Sequence, residues 1–203
     1  MIVVLGTRAG VGKTLVAMTL LRLADALEVR AAGMKPVQVG CPYSDDHDLW
    51  ARDGAALRAA VRQPLPPLIT SPYRFPTNDD PATAARRAGL ALTLEDLENA
   101  VAEAQGRTKL LIVEGTGGLD TAIAEDGTSL DFARRLNGTL VVVADDADGL
   151  AAIPDDAHVI LTRTTSSDPR VVATLPELGD TEDPLDAFLA ADLGTTLIRP
   201  HVA

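Results

Sequence analysis

The residues best suited to chemistry lie near the start of the chain, in a glycine-rich loop between an apolar segment and a helical pattern. The loop reads Gly6-x-x-x-Gly10-x-Gly12-Lys13-Thr14. It differs from the common phosphate-loop pattern at one position, where Thr7 stands in place of glycine. Glycines let the backbone approach a phosphate, lysine can bridge the outer phosphates, and the threonine hydroxyl can bind magnesium. The loop therefore predicts a nucleoside triphosphate site.

Two further charged residues follow apolar segments that are typical of buried strands. Lys35 opens the stretch KPVQVG, and Glu114 lies in VEGTGGL, after the apolar run that begins at Lys109. Because the carboxyl ends of neighbouring parallel strands converge on one crevice, we expect Lys13, Lys35 and Glu114 to meet there. Two cations and a magnesium-binding carboxylate around a terminal phosphate indicate phosphoryl transfer. The plain alternatives are a solvated lysine at a strand end and a glutamate that caps the following turn.

Hydrophobic periodicity predicts strands and helices that alternate along the chain. Strands are predicted at 2–5, 29–37, 109–113, 139–144, 158–161, 171–174 and 196–198. Helices are predicted at 13–27, 48–62, 81–88, 93–104, 129–136 and 185–190, and the proline-rich segment 63–81 is predicted to be an irregular surface loop. Continuous apolar strands between amphipathic helices favour a parallel sheet covered on both faces. We therefore expect an α/β fold, doubly wound and P-loop NTPase-like, in a single domain that spans residues 1–203.

Composition and charge narrow the function classes. The formal net charge of −11 argues against nucleic acid or an anionic membrane surface as a partner. The single cysteine, Cys41, excludes an internal disulfide and a four-cysteine zinc site, and it fits a reducing cytoplasm. No apolar run approaches the roughly 20 residues that span a bilayer. We therefore expect a cytoplasmic protein that binds its anionic ligand through a few local cations.

Taken together, four stretches resemble the dethiobiotin synthetase family. They read VLGTRAGVGKT, KPVQVG, SPYRFPTNDDP and VEGTGGL in this chain. Members of the family typically read G-T-x-T-x-V-G-K-T, K-P-V-x-[ST]-G, P-Y-x-F with an S-P-H segment, and V-E-G-A-G-G. The resemblance extends through about residue 145 and is weak afterwards.

The resemblance implies a reaction as well as a fold. An amine of 7,8-diaminononanoate would take up carbon dioxide as a carbamate, which attacks the γ-phosphate of ATP. The resulting mixed anhydride would close on the second amine and release phosphate, which gives a cyclic urea for biotin synthesis. The implied cofactors are ATP and magnesium, the partners are small molecules, and the implied assembly is a homodimer.

The resemblance also assigns roles to residues. The catalytic residues would be Lys13 and Lys35. The nucleotide would contact Gly10, Val11, Gly12, Lys13, Thr14, Glu114, Gly117, Arg163, Pro176 and Leu178. The metal ligands would be Thr14, Asp48 and Glu114, with Asp46 as an alternative to Asp48, which is equally well explained as a helix N-cap. The substrate would contact Lys35, Val39, Thr116 and Gly117.

Four departures from the family pattern keep other functions open. Ala9 and Val39 stand where the family has hydroxyl-bearing residues, and Arg8 adds a charge beside the phosphate loop. The segment between Val143 and His158 has room for a stub helix only, where the family has a long crossover helix. The alternatives are a degenerate nucleotide-binding homologue with little synthetase activity, or another P-loop ATPase of the partition or cobyrinic-acid amidase group.

Overall fold

The computed structural model describes residues 1–146, 148–162, 164–175 and 184–201. The strands are β1 (Ile2–Gly6), β2 (Ala31–Met34), β3 (Val37–Gln38), β4 (Tyr73–Arg74), β5 (Leu110–Glu114), β6 (Ala122–Ala124), β7 (Gly127–Thr128), β8 (Thr139–Ala144), β9 (His158–Thr162) and β10 (Val171–Leu175). The helices are α1 (Lys13–Ala26), α2 (Arg52–Ala59), α3 (Pro67–Thr70), α4 (Pro81–Arg87), α5 (Leu94–Gln105), α6 (Ser129–Leu136) and α7 (Pro184–Ala190). Short turns of 3₁₀ or π geometry span Asp148–Ala152, Gly194–Ile198 and Arg199–His201.

The centre of the described chain is a six-stranded sheet in the order β10-β9-β8-β1-β5-β2. Every strand pair in it is parallel. In the middle of β1, Val4 lies in register with Glu114 of β5 and Val141 of β8. The carboxyl ends of these strands therefore reach the same edge of the sheet, and the predicted doubly wound α/β fold is confirmed.

Both faces of the sheet are covered, as its uniformly apolar strands require. Alternate residues of β1 pack in different hydrophobic clusters, because side chains of a strand alternate between the two faces. Ile2 and Val4 pack in the cluster that contains residues of α1, α2 and α7. Val3 and Leu5 pack in another cluster with residues of α6 and of the 3₁₀ turn Asp148–Ala152.

The predicted second strand and the predicted proline-rich loop differ from the structure. The strand divides at Pro36, which lacks the N–H that a strand interior donates. Val37–Gln38 then pairs in parallel with Tyr73–Arg74, so a two-stranded sheet forms away from the main one. The proline-rich segment therefore contains α3 and β4, and Thr70 within it is fully buried.

One predicted helix boundary and one predicted strand also differ from the structure. The helix predicted at 48–62 spans only Arg52–Ala59. The strand predicted at 196–198 is wrong, because this segment lies in the π-helical turn Gly194–Ile198. Leu197 and Ile198 are buried against the core there, and an apolar run of three residues carries too little periodicity to separate strand from helix. No helix within the described ranges is both long enough and apolar enough to cross a membrane.

Gly33 in β2 is expected to be difficult to replace. A Cβ atom there would lie 2.8 Å from Leu21 Cδ1 and 2.9 Å from Leu57 Cβ, between α1 and α2. We expect Gly33→Ala to lower the free energy of unfolding by about 1–3 kcal/mol through overpacking. Urea denaturation measures this change. Gly106→Ala is the control, because its nearest neighbours would be 3.6 Å away, and an equal loss in both variants would contradict the packing argument.

Candidate functional site

The phosphate loop joins β1 to α1 and is held open by its glycines. Gly10 and Gly12 have φ angles of 79° and 100°, in the left-handed region that side chains disfavour. No side chain caps α1 at Gly12, so the amides of the first helical turn remain donors for an anion. Val11 is fully buried under the loop, and its carbonyl accepts a hydrogen bond of 2.9 Å from the Thr162 hydroxyl. The loop is therefore anchored from below.

Lys13 crosses from the phosphate loop to the loop after β5. Its Nζ donates to the carbonyl oxygens of Arg8 at 2.8 Å and Gly117 at 2.7 Å. Burial, followed by the neighbouring ammonium of Lys35, lowers the pKa of Lys13 to about 8. The side chain is thus poised to gain an anionic partner, which would favour its charged form.

Lys35, Glu114 and Thr14 form a buried network at the carboxyl edge of the sheet. Lys35 Nζ donates to Glu114 Oε1 at 2.7 Å, and the Thr14 hydroxyl donates to the same oxygen at 2.7 Å. Lys35 also forms an ion pair with Asp53. Burial disfavours the Lys35 ammonium, but Glu114 and Asp53 outweigh burial and raise the pKa of Lys35 above its ordinary value. Lys35 is therefore held as a buried cation. It is not the solvated lysine at a strand end that was the plain alternative.

A cleft of about 560 Å³ contains these groups. Its lining includes Gly10, Gly12, Lys13, Thr14, Lys35, Val39, Glu114, Thr116 and Gly117, which the sequence placed at the site. It also includes Ala9, Gln38, Asp53, Asn78, Asp79, Asp80, Pro81 and Thr121, which sequence reasoning did not assign. The Thr116 hydroxyl donates to Val37 O at 2.6 Å, so its oxygen can take part in a further hydrogen bond only as an acceptor.

The structure places several predicted residues outside this cleft. The Asp48 side chain is 68% exposed and pairs with Arg74 at 3.2 Å, on the lining of another cavity. Asp46 is likewise exposed and does not line the cleft. The carboxylate beside Lys35 belongs instead to Asp53, in the first turn of α2. Arg163, Pro176 and Leu178 lie outside the described residues.

The change from Asp48 to Asp53 follows from the helix boundary. A helix that began at residue 48 would leave Asp53 inside it, whereas α2 begins at Arg52. The sequence carries no local signal for Asp53, because its ion pair with Lys35 joins residues from different elements.

Arg8 does not enter the cleft lining, although the sequence places it beside the phosphate loop. Its guanidinium pairs with Asp145, at the end of β8, and also donates to Ala9 O at 3.3 Å. The extra positive charge is therefore partly neutralised by a local acid.

The donor set of the cleft is compatible with a magnesium ion. Glu114 Oε2 is buried and has no hydrogen-bond partner within the described chain, although the other oxygen has two donors. The described residues contain no group of three or more His, Cys, Asp or Glu side chains that could hold a metal. Magnesium commonly binds through one or two carboxylates and completes its coordination with water and phosphate oxygens. The carboxylates of Asp53 and Glu114 and the hydroxyl of Thr14, all on the cleft lining, meet that requirement.

Comparisons with known proteins agree with the motif resemblance. A family model described as an AAA domain matches residues 1–171. The ATP-dependent dethiobiotin synthetases BioD of Xylella fastidiosa (strain 9a5c) and Xanthomonas campestris pv. campestris (strain 8004) are 35% and 33% identical over 141 residues. Each match covers 69% of this chain and 62% of the relative, so the chain spans less than two thirds of the length of these relatives. The predicted resemblance is confirmed.

Among solved structures, the chain is similar to the signal recognition particle receptor FtsY from Elizabethkingia anophelis in complex with GDP. The TM-score is 0.44 at 16% identity, over 79% of this chain and 48% of that chain.

The buried network should make Lys35 important for stability. We expect Lys35→Met to lower the free energy of unfolding by about 3–5 kcal/mol, because Glu114 would remain buried without its counter-charge. Urea denaturation at pH 7 measures the loss. The double variant Lys35→Met/Glu114→Gln should recover most of it, since the uncompensated charge is then gone. A double variant no more stable than Lys35→Met would contradict this reading.

Proposed function

We propose that this chain, which belongs to the AAA domain family, is an ATP-dependent ligase of the dethiobiotin synthetase type. It would form a cyclic urea from 7,8-diaminononanoate and carbon dioxide. The observation that carries the proposal is the convergence of Lys13, Lys35 and Glu114 in one cleft with the phosphate loop. The similarity to BioD proteins supports the choice of substrates.

The phosphate loop and Lys13 are suited to the triphosphate tail of ATP. The free amides at the start of α1 can donate to phosphate oxygens, and the partial positive charge of the helix N-terminus adds to their attraction. Lys13 now donates to two carbonyl oxygens. A phosphate oxygen would be a stronger acceptor than either carbonyl, because it is ionised.

Lys35 is suited to the transfer step. A carbamate oxygen would attack the γ-phosphorus while the bond to the ADP oxygen breaks, and ADP leaves. The second amine would then attack the carbamoyl carbon, lose a proton and displace inorganic phosphate. The nucleophile and the phosphoryl group are both anionic, so a cation held between them lowers their repulsion. Because the pKa of Lys35 is raised, its side chain keeps its positive charge.

Thr14, Asp53 and Glu114 are the residues that would hold a magnesium ion. Bound there, the ion would neutralise charge on the β- and γ-phosphates. Asp53 replaces Asp48 in this proposal, because only Asp53 lines the cleft beside Lys35.

The other wall of the cleft is suited to an amine. The Thr116 hydroxyl oxygen can accept, and Asp79 and Asp80 belong to the same lining, where the Asp79 carboxylate pairs with Arg87 and the Asp80 carboxylate caps α4. Val39 offers an apolar contact for the hydrocarbon part of the substrate. Substrate ammonium groups would be attracted to these acidic residues, and phosphates to the phosphate loop and the two lysines.

A second candidate function is nucleotide binding with little synthetase activity. The observation that favours it is the link between β8 and β9, in which the described residues form only the 5-residue 3₁₀ turn Asp148–Ala152. In the family that the motifs resemble, the corresponding segment contributes to the substrate site and subunit interface. Homodimer formation therefore stays a prediction.

Turnover with and without the diamine separates the two candidates. We expect magnesium ATP and bicarbonate to give phosphate release that rises with added 7,8-diaminononanoate, together with dethiobiotin detected by mass spectrometry. Lys35→Met should lower the diamine-dependent rate about 100-fold, because charge stabilisation in the transition state is lost. Lys109→Met removes an exposed lysine outside the cleft and is the matched control. Equal phosphate release with and without diamine would favour the second candidate.

The lowered pKa of Lys13 predicts a pH-dependent affinity for ATP. In the free protein Lys13 is largely protonated at pH 7 and loses its proton as the pH rises through about 8, whereas bound phosphate would favour the ammonium. The Kd for ATP should therefore rise about tenfold between pH 7 and pH 9, as calorimetry can measure. Lys13→Arg should flatten this dependence, because arginine keeps its charge. An unchanged slope in that variant would assign the titration to another group.

A further inference from the structure

A second cavity, of about 180 Å³, lies against the face of α2 that is turned away from the cleft. Ala51, Gly54, Ala55 and Arg58 line it, at the i, i+3, i+4, i+7 spacing that marks one side of a helix. Asp53 falls outside this stripe and lines the cleft instead. The first turns of α2 therefore form a wall shared by two cavities.

Two guanidinium groups give the second cavity its charge. Arg74 donates to Leu49 O at 2.7 Å and to Asp48 Oδ2 at 3.2 Å. Arg58 donates from Nε to Leu65 O at 2.8 Å and forms no ion pair with any residue in the described ranges. Arginine offers five donors in a fork that matches a carboxylate, so these contacts leave donor capacity at the cavity.

A buried hydroxyl on the same lining lacks a partner. Ser71 is 1% exposed, and its Oγ forms no hydrogen bond with any described residue. It lies against Gly54, where a Cβ would come within 2.3 Å. Buried hydroxyls normally have a hydrogen-bond partner, so this serine points to an acceptor that is not part of the described chain.

We propose that this cavity binds a small carboxylate with a short apolar part. The chain itself supplies an analogue, because the mostly exposed Asp48 carboxylate already pairs with Arg74 there. A ligand carboxylate would replace Asp48 on Arg74 and reach Arg58. Its apolar part would contact Trp50 and Ala55, which belong to the same lining. The volume suits a ligand of only a few heavy atoms.

Trp50 provides a direct measurement, because it is the only tryptophan in the sequence. Titration of the full chain with propionate, without nucleotide, should change Trp50 fluorescence to saturation and raise Tm. Propionamide, the neutral analogue, should cause neither effect. Arg58→Met and Ser71→Ala should each weaken propionate binding about tenfold, as expected when a charge-assisted or buried hydrogen bond is lost.

Asp48→Asn gives the decisive comparison, since it removes an exposed competitor and should tighten propionate binding several-fold. Lys13→Met, which alters the cleft, should leave propionate affinity unchanged. Absence of saturation, an equal response to propionamide, or weaker binding by Asp48→Asn would overturn the proposal. Inorganic phosphate that binds as tightly as propionate would also overturn the assignment of a carboxylate with an apolar part. None of these measurements depends on ligase activity.

Discussion

The buried ion pair between Lys35 and Glu114 is the constraint on which the rest of the site depends. Neither side chain can move to water, because Glu114 is completely buried and Lys35 is 5% exposed. Transfer of both charges from water costs several kcal/mol per ion, so the pair persists only where the geometry is good. That geometry requires the ends of β2 and β5 to lie side by side, as the register of Met34 with Val113 provides. The order of the strands in the sheet therefore determines the geometry of the site.

Lys13 and Lys35 lie in the same cleft yet differ in proton affinity, and their partners explain the difference. Lys13 donates to neutral carbonyl oxygens, so burial and the nearby ammonium dominate and its pKa falls. Lys35 contacts two carboxylates, which outweigh burial. A bound triphosphate would therefore raise the pKa of Lys13 more than the pKa of Lys35. The first lysine is arranged for an arriving anion and the second for charge already present.

The sequence predicted what depends on local signals and missed what depends on distant contacts. The phosphate loop, the central strands and the capped start of α5 at Thr93 carry their signals within a few residues. The β3–β4 pair joins two short segments that are distant in sequence, and two residues carry no periodicity. The resemblance predicts Asp48 in place of Asp53, because it matches Asp48 to the family's aspartate before an apolar helix, and in the structure that helix begins only at Arg52. The ion pair of Asp53 with Lys35 exists only in three dimensions.

The negative net charge of the chain is compatible with an anionic ligand, because the repulsion acts at long range and the attraction within the cleft acts at short range. A net charge of −11 repels ATP at long range, but physiological salt screens exposed charges beyond about 8 Å. Within the cleft, amides of the phosphate loop and two buried lysines are screened much less. Arg8 pairs with Asp145 and does not line the cleft, so this surface cation adds little attraction. In the proposed function, recognition of a triphosphate would therefore come from short hydrogen bonds, and these require the left-handed glycines at positions 10 and 12.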